Sequence, residues 1–239
     1  MGNIRMQAIQ AILFDFDDTL QDREAAYRKY CAAFLDEFFP GLPAAEKAGR
    51  IDEMESRING GYRKREEYFP ELIELWDWRE HPPVDVLCRH FNERYGEHVA
   101  LFPDAVPTIE QLKRLGYRLG IVSNGPSVLQ NKKLDTAGIR RLFDVVVVSG
   151  DYGIHKPDRR LFDLAAQQLG VPNEACLFVG DHPVNDIQGA LGAGMQAVWM
   201  NYGSFAGQRT QGVLEITRLS QLPALLEREA GAAQACGKR

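Results

Sequence analysis

The stretch Ala11-Ile-Leu-Phe-Asp15-Phe-Asp17-Asp18-Thr19-Leu20 joins a short apolar run to three carboxylates. Its first four residues have no polar face, which is typical of a strand covered on both sides in a parallel sheet. Burying an unpaired carboxylate is costly, so we expect Asp15 and Asp17 to emerge where the strand ends, beside a cation or water. Ligands of open parallel sheets bind at this end of the strands. The stretch therefore predicts a parallel sheet with a polar site at its edge.

Composition and charge exclude several classes of protein for this chain. The chain has 239 residues, of which 45% are hydrophobic and 26% charged, enough for one large domain or a domain with a smaller companion. Its net charge of -5 argues against a nucleic acid or a membrane surface as main partner, and its longest apolar runs are strand-sized. The N-terminus has no apolar signal-peptide core, and the four cysteines lack metal-ligand spacing. We expect a cytoplasmic protein with reduced cysteines and no membrane partner.

A helical pattern follows Leu20 and continues for some eighty residues. Tyr27, Tyr30 and Phe34 recur at helical spacing, and further helix-like segments extend to about residue 94. No buried parallel strand is recognisable in this interval. We therefore predict a helical insert at 21–99, between core segments 1–20 and 100–239. Its helices are expected to be separated by Gly60-Gly61, Pro70 and Pro82-Pro83.

Strands and helices alternate in the rest of the chain, which indicates an α/β fold with a doubly wound parallel sheet. Four consecutive valines in the strand at 144–148 predict a central strand covered on both faces, whereas 213–216 is expected at an edge. Residues 149–156 are expected to form a polar loop. The other predicted strands are 117–122, 176–179 and 196–200, and the predicted helices are 105–115, 126–137, 157–169, 184–191 and 221–229.

Polar residues follow the predicted strands at one edge of this sheet. Clustered carboxylates cannot all stay ionised in a cleft of low dielectric without compensation, and a hard cation such as Mg²⁺ provides it. A lysine adds a fixed ammonium, and a Ser-Asn-Gly turn before a helix can cradle an anion. This combination is typical of phosphoryl transfer. The residues concerned are Asp15 and Asp17, Ser123 and Asn124, Lys156, Asp181 and Asp186.

Four segments resemble, in order and spacing, the four motifs of the haloacid dehalogenase-like (HAD) hydrolase superfamily. They are Asp15-Phe-Asp17-Asp-Thr19, Ser123-Asn124-Gly125, Lys156-Pro157 and Gly180-Asp181-His-Pro-Val-Asn-Asp186. The similarity covers residues 11–20 and about 100–205, and the helical interval matches the position of the superfamily's type-one cap. The resemblance implies a Rossmann-like core with an inserted all-helical cap. Many members have Gly where Asp18 stands, a departure that leaves the catalytic assignment intact.

The resemblance also implies a role for each motif residue. Asp15 would be the nucleophile that becomes an aspartyl-phosphate, and Asp17 the general acid and then the base. Ser123, the backbone of Asn124 and Lys156 would bind the phosphoryl oxygens. Mg²⁺ would be held by Asp15, Asp181 and the main-chain carbonyl of Asp17, with Asp186 binding or orienting a metal-bound water.

The expected function is a Mg²⁺-dependent phosphatase acting on a small soluble phosphomonoester. Sugar phosphates, phosphoglycolate and nucleoside monophosphates all fit, and the cap would select among them. One alternative is a phosphomutase of the same fold acting on hexose phosphates. A 2-haloacid dehalogenase is disfavoured by Asp17, because halide loss needs no general acid, and a non-catalytic module is disfavoured by the intact motif set. The chain is expected to be a monomer or a homodimer.

Overall fold

The structure of the chain is a computed structural model that describes residues 9–61, 63–202, 205 and 212–228. The chain divides into two compact units. The first, the core unit, comprises Met1–Gln21 and Leu101–Arg239, so far as these segments are described, and the second, the helical unit, is Asp22–Ala100.

The first unit is built on a parallel sheet of six strands in the order β3-β2-β1-β4-β5-β6. Strand β1 (Ala11–Phe14) lies between β2 (Arg118–Ser123) and β4 (Cys176–Gly180), and all four of its residues are fully buried. The prediction of a strand covered on both faces is confirmed. The strand order runs outward from β1 to β2 and from β4 to β5, so the topological switch point lies between β1 and β4. That is the position at which such sheets bind ligands.

The position predicted for the valine strand is wrong. Strand β3 (Val145–Val148) lies at one edge of the sheet, while β5 (Gln196–Met200) and β6 (Leu214–Ile216) complete the other side. A run of apolar residues indicates that helices cover both faces of a strand. Edge strands of α/β sheets are covered in the same way, so the run does not distinguish an edge strand from a central one. Val145 and Val147 accordingly pack in the same core cluster as Leu161. The prediction of an edge strand near 213–216 is confirmed.

The helices of the core unit largely coincide with the predicted helical ranges. Two differences stand out: residues 149–156 contain a short helix, and the helix predicted at 184–191 divides into a π-helical turn, Pro183–Gln188, and a helical turn, Gly189–Gly192. The predicted last residue of the terminal helix, Glu229, lies outside the described residues. The helices are α5 (Ala105–Arg114), α6 (Ser127–Thr136), α7 (Ser149–Tyr152), α8 (Arg159–Leu169), α9 (Gly189–Gly192) and α10 (222–228).

The second unit is helical throughout its described residues. It contains α1 (Arg23–Phe38), α2 (Ala44–Ile58), α3 (Arg65–Leu75) and α4 (Val84–Arg94). The prediction that Pro70 separates two helices is wrong, because Pro70 lies inside α3. The helix loses a single backbone hydrogen bond there and continues. Tyr27, Tyr30 and Phe34 of α1 lie in the core of this unit, and the rings of Tyr30 and Phe91 are centred 5.0 Å apart.

Two further features bear on the expectations from sequence. Cys31, Cys88 and Cys176 are buried without a disulfide, and Cys236 lies outside the described residues. None of the helices in the described part of the chain is long and apolar enough to cross a membrane.

Gly150 offers a test of the packing that supports the turn after β2. A Cβ atom at Gly150 would lie 2.4 Å from the nitrogen of Ser127 and 2.7 Å from the carbonyl oxygen of Gly125. Both neighbours are main chain, so Gly150→Ala is expected to lower the free energy of unfolding by about 1–3 kcal/mol in urea titrations. Gly192 is also in a four-residue helix but has no atom within 4 Å of its would-be Cβ. Equal stabilities of Gly150→Ala and Gly192→Ala would contradict this account.

Candidate active site

The ammonium of Lys156 connects two of the predicted carboxylates. Its Nζ atom donates hydrogen bonds to Oδ1 of Asp15 at 2.6 Å and to Oδ1 of Asp186 at 2.7 Å. All three side chains are buried, with residue exposures of 4% for Lys156, 6% for Asp15 and 1% for Asp186. Each ion thereby gains a partner that offsets the loss of its hydration. The structure brings together residues from the first, third and fourth predicted motifs.

Asp15, Asp181 and Asp186 together form a cluster of buried carboxylates. Each contributes one oxygen to a group whose atoms all lie within 4.8 Å of one another. Oxygen donors of this kind are preferred by hard cations such as Mg²⁺ and Ca²⁺. With all groups ionised, three carboxylates and one ammonium leave a charge of -2, which a divalent cation matches. The residues present therefore fit a hard divalent metal ion.

The ends of β4 and β5 position two members of this cluster. Gly180 ends β4, and a Cβ atom there would lie 2.5 Å from Oδ2 of Asp186, so only glycine admits this carboxylate. The backbone N–H of His182 donates to the same oxygen at 2.9 Å. The main-chain carbonyl of Asp181 accepts a 2.7 Å hydrogen bond from the indole of buried Trp199 in β5.

Burial and ion pairing act in opposite directions on the titration of this group. Burial raises the pKa of Asp15 to about 7, the charge of Lys156 opposes the rise, and the charge of Asp186 adds to it. For Lys156, burial would lower the pKa, but the attraction of Asp15 and Asp186 outweighs it and the pKa is raised. Lys156 is thus a fixed positive charge at neutral pH.

Asp17 has hydrogen-bond partners other than those of this cluster, and its charge adds to the rise in the pKa of Asp15. Its Oδ1 accepts hydrogen bonds from Nε2 of Gln21 at 2.7 Å and from Nζ of Lys133 at 2.9 Å. Its Oδ2 accepts from Nε2 of Gln130 at 2.9 Å and from the same Lys133 ammonium at 3.1 Å. The structure therefore brings the carboxylate of Asp17 to α6, and its oxygens are not among those of the three clustered aspartates.

The backbone conformation of Asp18 explains why this position accepts Asp as well as the Gly found in many family members. Its φ angle is 60°, in the left-handed region, and its N–H donates to the carbonyl of Gln21 at 2.8 Å. Glycine adopts this conformation without strain, and aspartate is among the residues that tolerate it best. A tight turn after β1 is thus compatible with either residue.

Ser123 ends β2 and Asn124 follows it, but the two residues make different contacts. The buried hydroxyl of Ser123 accepts a 2.7 Å hydrogen bond from Nε2 of Gln130. The side chain of Asn124 holds the main chain of Lys156: its Oδ1 accepts from the N–H at 2.8 Å and its Nδ2 donates to the carbonyl at 3.0 Å. Asn124 therefore fixes the backbone from which the central ammonium projects.

Sequence reasoning missed three polar residues around Asp17, namely Gln21, Gln130 and Lys133. Gln130 and Lys133 are three residues apart on α6, so they share the helix face that reaches Asp17. A lysine on a helix usually has a solvated head, so its residue type alone does not indicate that Lys133 is buried. The only available signal was its place soon after the Ser123-Asn124-Gly125 turn.

Comparison with known proteins places this arrangement in a family. Residues 9–194 match the family model described as haloacid dehalogenase-like hydrolase. This chain belongs to the haloacid dehalogenase-like hydrolases. This HAD-like hydrolase is 32% identical over 219 residues to a glyceraldehyde 3-phosphate phosphatase of Methanopyrus kandleri. The aligned region covers 82% of this chain and 86% of the relative. It is 29% identical over 197 residues to the pyrimidine 5′-nucleotidase YjjG of Escherichia coli, covering 80% and 85%.

Solved structures agree with the family assignment. A HAD phosphatase from Thermococcus onnurineus is 30% identical, with a TM-score of 0.62 over 91% of this HAD-like hydrolase and 98% of that chain. The HAD-hydrolase YfnB from Bacillus subtilis, described as bound to magnesium, is 26% identical, with a TM-score of 0.70 over 91% and 98%. The family and these relatives together support a phosphatase.

Divalent cations are expected to stabilise this HAD-like hydrolase in a pH-dependent way. Because the pKa of Asp15 rises from 3.8 to about 7 on folding, the folded chain binds this proton more tightly than the unfolded chain. Without a cation, stability attributable to Asp15 falls as pH rises from about 4 to about 7. A bound cation displaces the proton, so the increase in Tm on adding MgCl₂ should be larger at about pH 8 than at about pH 6.

Thermal unfolding of two variants tests whether the Mg²⁺-induced increase in Tm arises at the carboxylate cluster. Asp181→Asn should lose most of the Mg²⁺-induced increase in Tm, because one charged ligand is removed. Asp36→Asn is the matched control, since it removes a carboxylate that pairs with Lys47 in the helical unit. An increase in Tm that is the same at both pH values, or that survives in Asp181→Asn, would contradict a metal site at this cluster.

Proposed function

We propose that this HAD-like hydrolase is a phosphatase that hydrolyses a small soluble phosphomonoester through an aspartyl-phosphate on Asp15. The observation that carries the proposal is the buried ammonium of Lys156 beside Asp15, at the carboxyl end of the central strand. A nucleophilic carboxylate needs a fixed positive charge beside it, because its target, a phosphate ester, is itself an anion. The phosphatase names of the relatives support the same reaction class.

In the first step an oxygen of Asp15 bonds to phosphorus as the ester P–O bond breaks. Asp17 donates its proton to the departing alkoxide, which leaves as the alcohol. In the second step a water attacks phosphorus, Asp17 accepts the water's proton, and the bond from phosphorus to Asp15 breaks. Inorganic phosphate leaves and Asp15 returns to the carboxylate form. The hydroxyl of Ser123 and the ammonium of Lys156 neutralise the phosphoryl oxygens, with the backbone N–H of Asn124 as a further donor.

The proposed cofactor is Mg²⁺. Asp15, Asp181 and the main-chain carbonyl of Asp17 would hold it, with Asp186 as a ligand or as a partner of a bound water. When bound, the ion supplies positive charge to the phosphoryl oxygens. The all-oxygen donor set of the carboxylate cluster supports this choice of metal.

The helical unit is proposed to act as a cap that selects the substrate. Its residues, Asp22–Ala100, are inserted in the chain directly after the turn that carries Asp17. Segments inserted next to catalytic residues are suited to exclude water and to choose among substrates. Small phosphomonoesters, such as sugar phosphates, phosphoglycolate and nucleoside monophosphates, are the proposed substrate class.

A panel of phosphate esters tests the proposed reaction. It includes glyceraldehyde 3-phosphate, phosphoserine, phosphoglycolate, pyrimidine 5′-nucleotides and a hexose 1-phosphate, each assayed for phosphate release with and without Mg²⁺. We expect Mg²⁺-dependent release from at least one member. Asp15→Asn should lower kcat by more than about 10²-fold, because the covalent route is closed.

Asp18→Asn is the matched control for this variant. It makes the same chemical change three residues further along, at a left-handed position that asparagine tolerates, and it should keep the parent rate. Release that is unaffected by Asp15→Asn, or no release from any ester, would overturn the proposal. Isomerisation of the hexose 1-phosphate without free phosphate would identify a phosphomutase in place of a phosphatase.

A further inference from the structure

We infer that Lys133 is a positioning residue for Asp17: its ammonium, together with the amides of Gln21 and Gln130, fixes the orientation in which Asp17 exchanges a proton with the leaving group. The inference rests on the proposed function, because it takes Asp17 as the acid and base of that reaction. It concerns α6, a helix that carries none of the four motifs.

The contacts of Asp17 leave its carboxylate little freedom to rotate. Each oxygen accepts one hydrogen bond from an amide and one from Lys133, at distances of 2.7–3.1 Å. Lys133 is 116 residues from Asp17 in the chain, so the tertiary fold imposes this constraint. A carboxylate held at both oxygens from two directions keeps one plane towards a neighbouring substrate, and the proton that it carries takes the place of one of these four hydrogen bonds while the others remain.

Stability alone is a weak reason for a buried ammonium at this place. The side chain of Lys133 is 5% exposed, and removing an ammonium from water costs several kcal/mol before its pairing is counted. An apolar residue of similar size often serves a helix–sheet contact equally well or better. The pair of Lys133 and Asp17 is therefore better explained by orientation of a functional carboxylate.

Gln130 extends the same arrangement to the proposed phosphate-binding residues. Its Nε2 donates both to Oγ of Ser123 at 2.7 Å and to Oδ2 of Asp17 at 2.9 Å. Gly125 makes room for this side chain, since a Cβ atom there would lie 2.6 Å from Cγ of Gln130. One face of α6 thus sets the separation between the hydroxyl proposed to bind phosphate and the carboxylate proposed to move the proton.

Leaving-group dependence separates positioning of Asp17 from general damage. An alkoxide needs a proton to leave, whereas p-nitrophenolate leaves without one, and a general acid contributes about 10²–10⁴-fold. Lys133→Met should therefore lower kcat/KM, which reports the first step, at least about 10-fold more for the fastest alkyl phosphate of the panel than for p-nitrophenyl phosphate.

A double-mutant cycle tests whether Lys133 acts through Asp17. In an Asp17→Asn background, Lys133→Met should cause no further loss with the alkyl phosphate, because the group it positions is absent. Lys133→Arg should recover part of the loss, since it retains a cation. Lys132→Met is the matched control, with the same substitution one residue earlier on α6, and it should keep the parent ratio of alkyl to aryl rates.

Each outcome supports or overturns one of the two proposals. Equal losses of kcat/KM on both esters in Lys133→Met, or additive losses in the double mutant, would overturn the role of Lys133 alone. Absence of leaving-group dependence in Asp17→Asn itself would overturn the proposed acid role of Asp17. Thermal unfolding checks that Lys133→Met is folded; if it is not, Lys133→Gln, which keeps a donor without the charge, gives the same readouts.

Discussion

The buried ammonium of Lys156 is the interaction on which the site depends. Asp15 and Asp186 are largely removed from water, and each ionised carboxylate would be costly without a neighbouring positive charge. The backbone of Lys156 is in turn held by the side chain of Asn124, which follows a different strand. The ends of β1, β2 and β4 are therefore coupled through one lysine, and the sheet can support a cluster of acids at its switch point.

Two cations serve two aspartates that are only two residues apart. Lys156 pairs with Asp15, whereas Lys133 on α6 pairs with Asp17. The turn at Asp18, with its positive φ, follows Asp17 directly and returns the chain to Gln21, a further partner of Asp17. Two carboxylates with different neighbours can carry out different steps of one reaction. The division of labour that we propose for Asp15 and Asp17 has this physical basis.

The sequence predicted most of the fold and that Asp15, Lys156 and Asp186 lie together at the end of the strands. Ala11–Phe14 could be identified as a buried strand because parallel strands are apolar on both faces, and the acids that follow it had to lie at its end. The edge position of Val145–Val148 could not be predicted, because helices cover both faces of edge and central strands alike. Lys133 could not be found because its burial depends on contacts over more than a hundred residues of chain. Asn124 was expected to use its backbone, whereas the observed contacts show its side chain holding Lys156.

The central claim is that Asp15 carries the phosphoryl group during turnover. An aspartyl-phosphate is an acyl phosphate, which borohydride reduces while it leaves free carboxylates unchanged. The direct measurement is therefore acid quench of the enzyme during steady-state turnover, borohydride reduction, and mass spectrometry of the peptide that contains residues 11–20. We predict that Asp15 alone in this peptide is converted to homoserine, and only when substrate is present. Conversion at another residue, or none while phosphate release proceeds, would contradict the account.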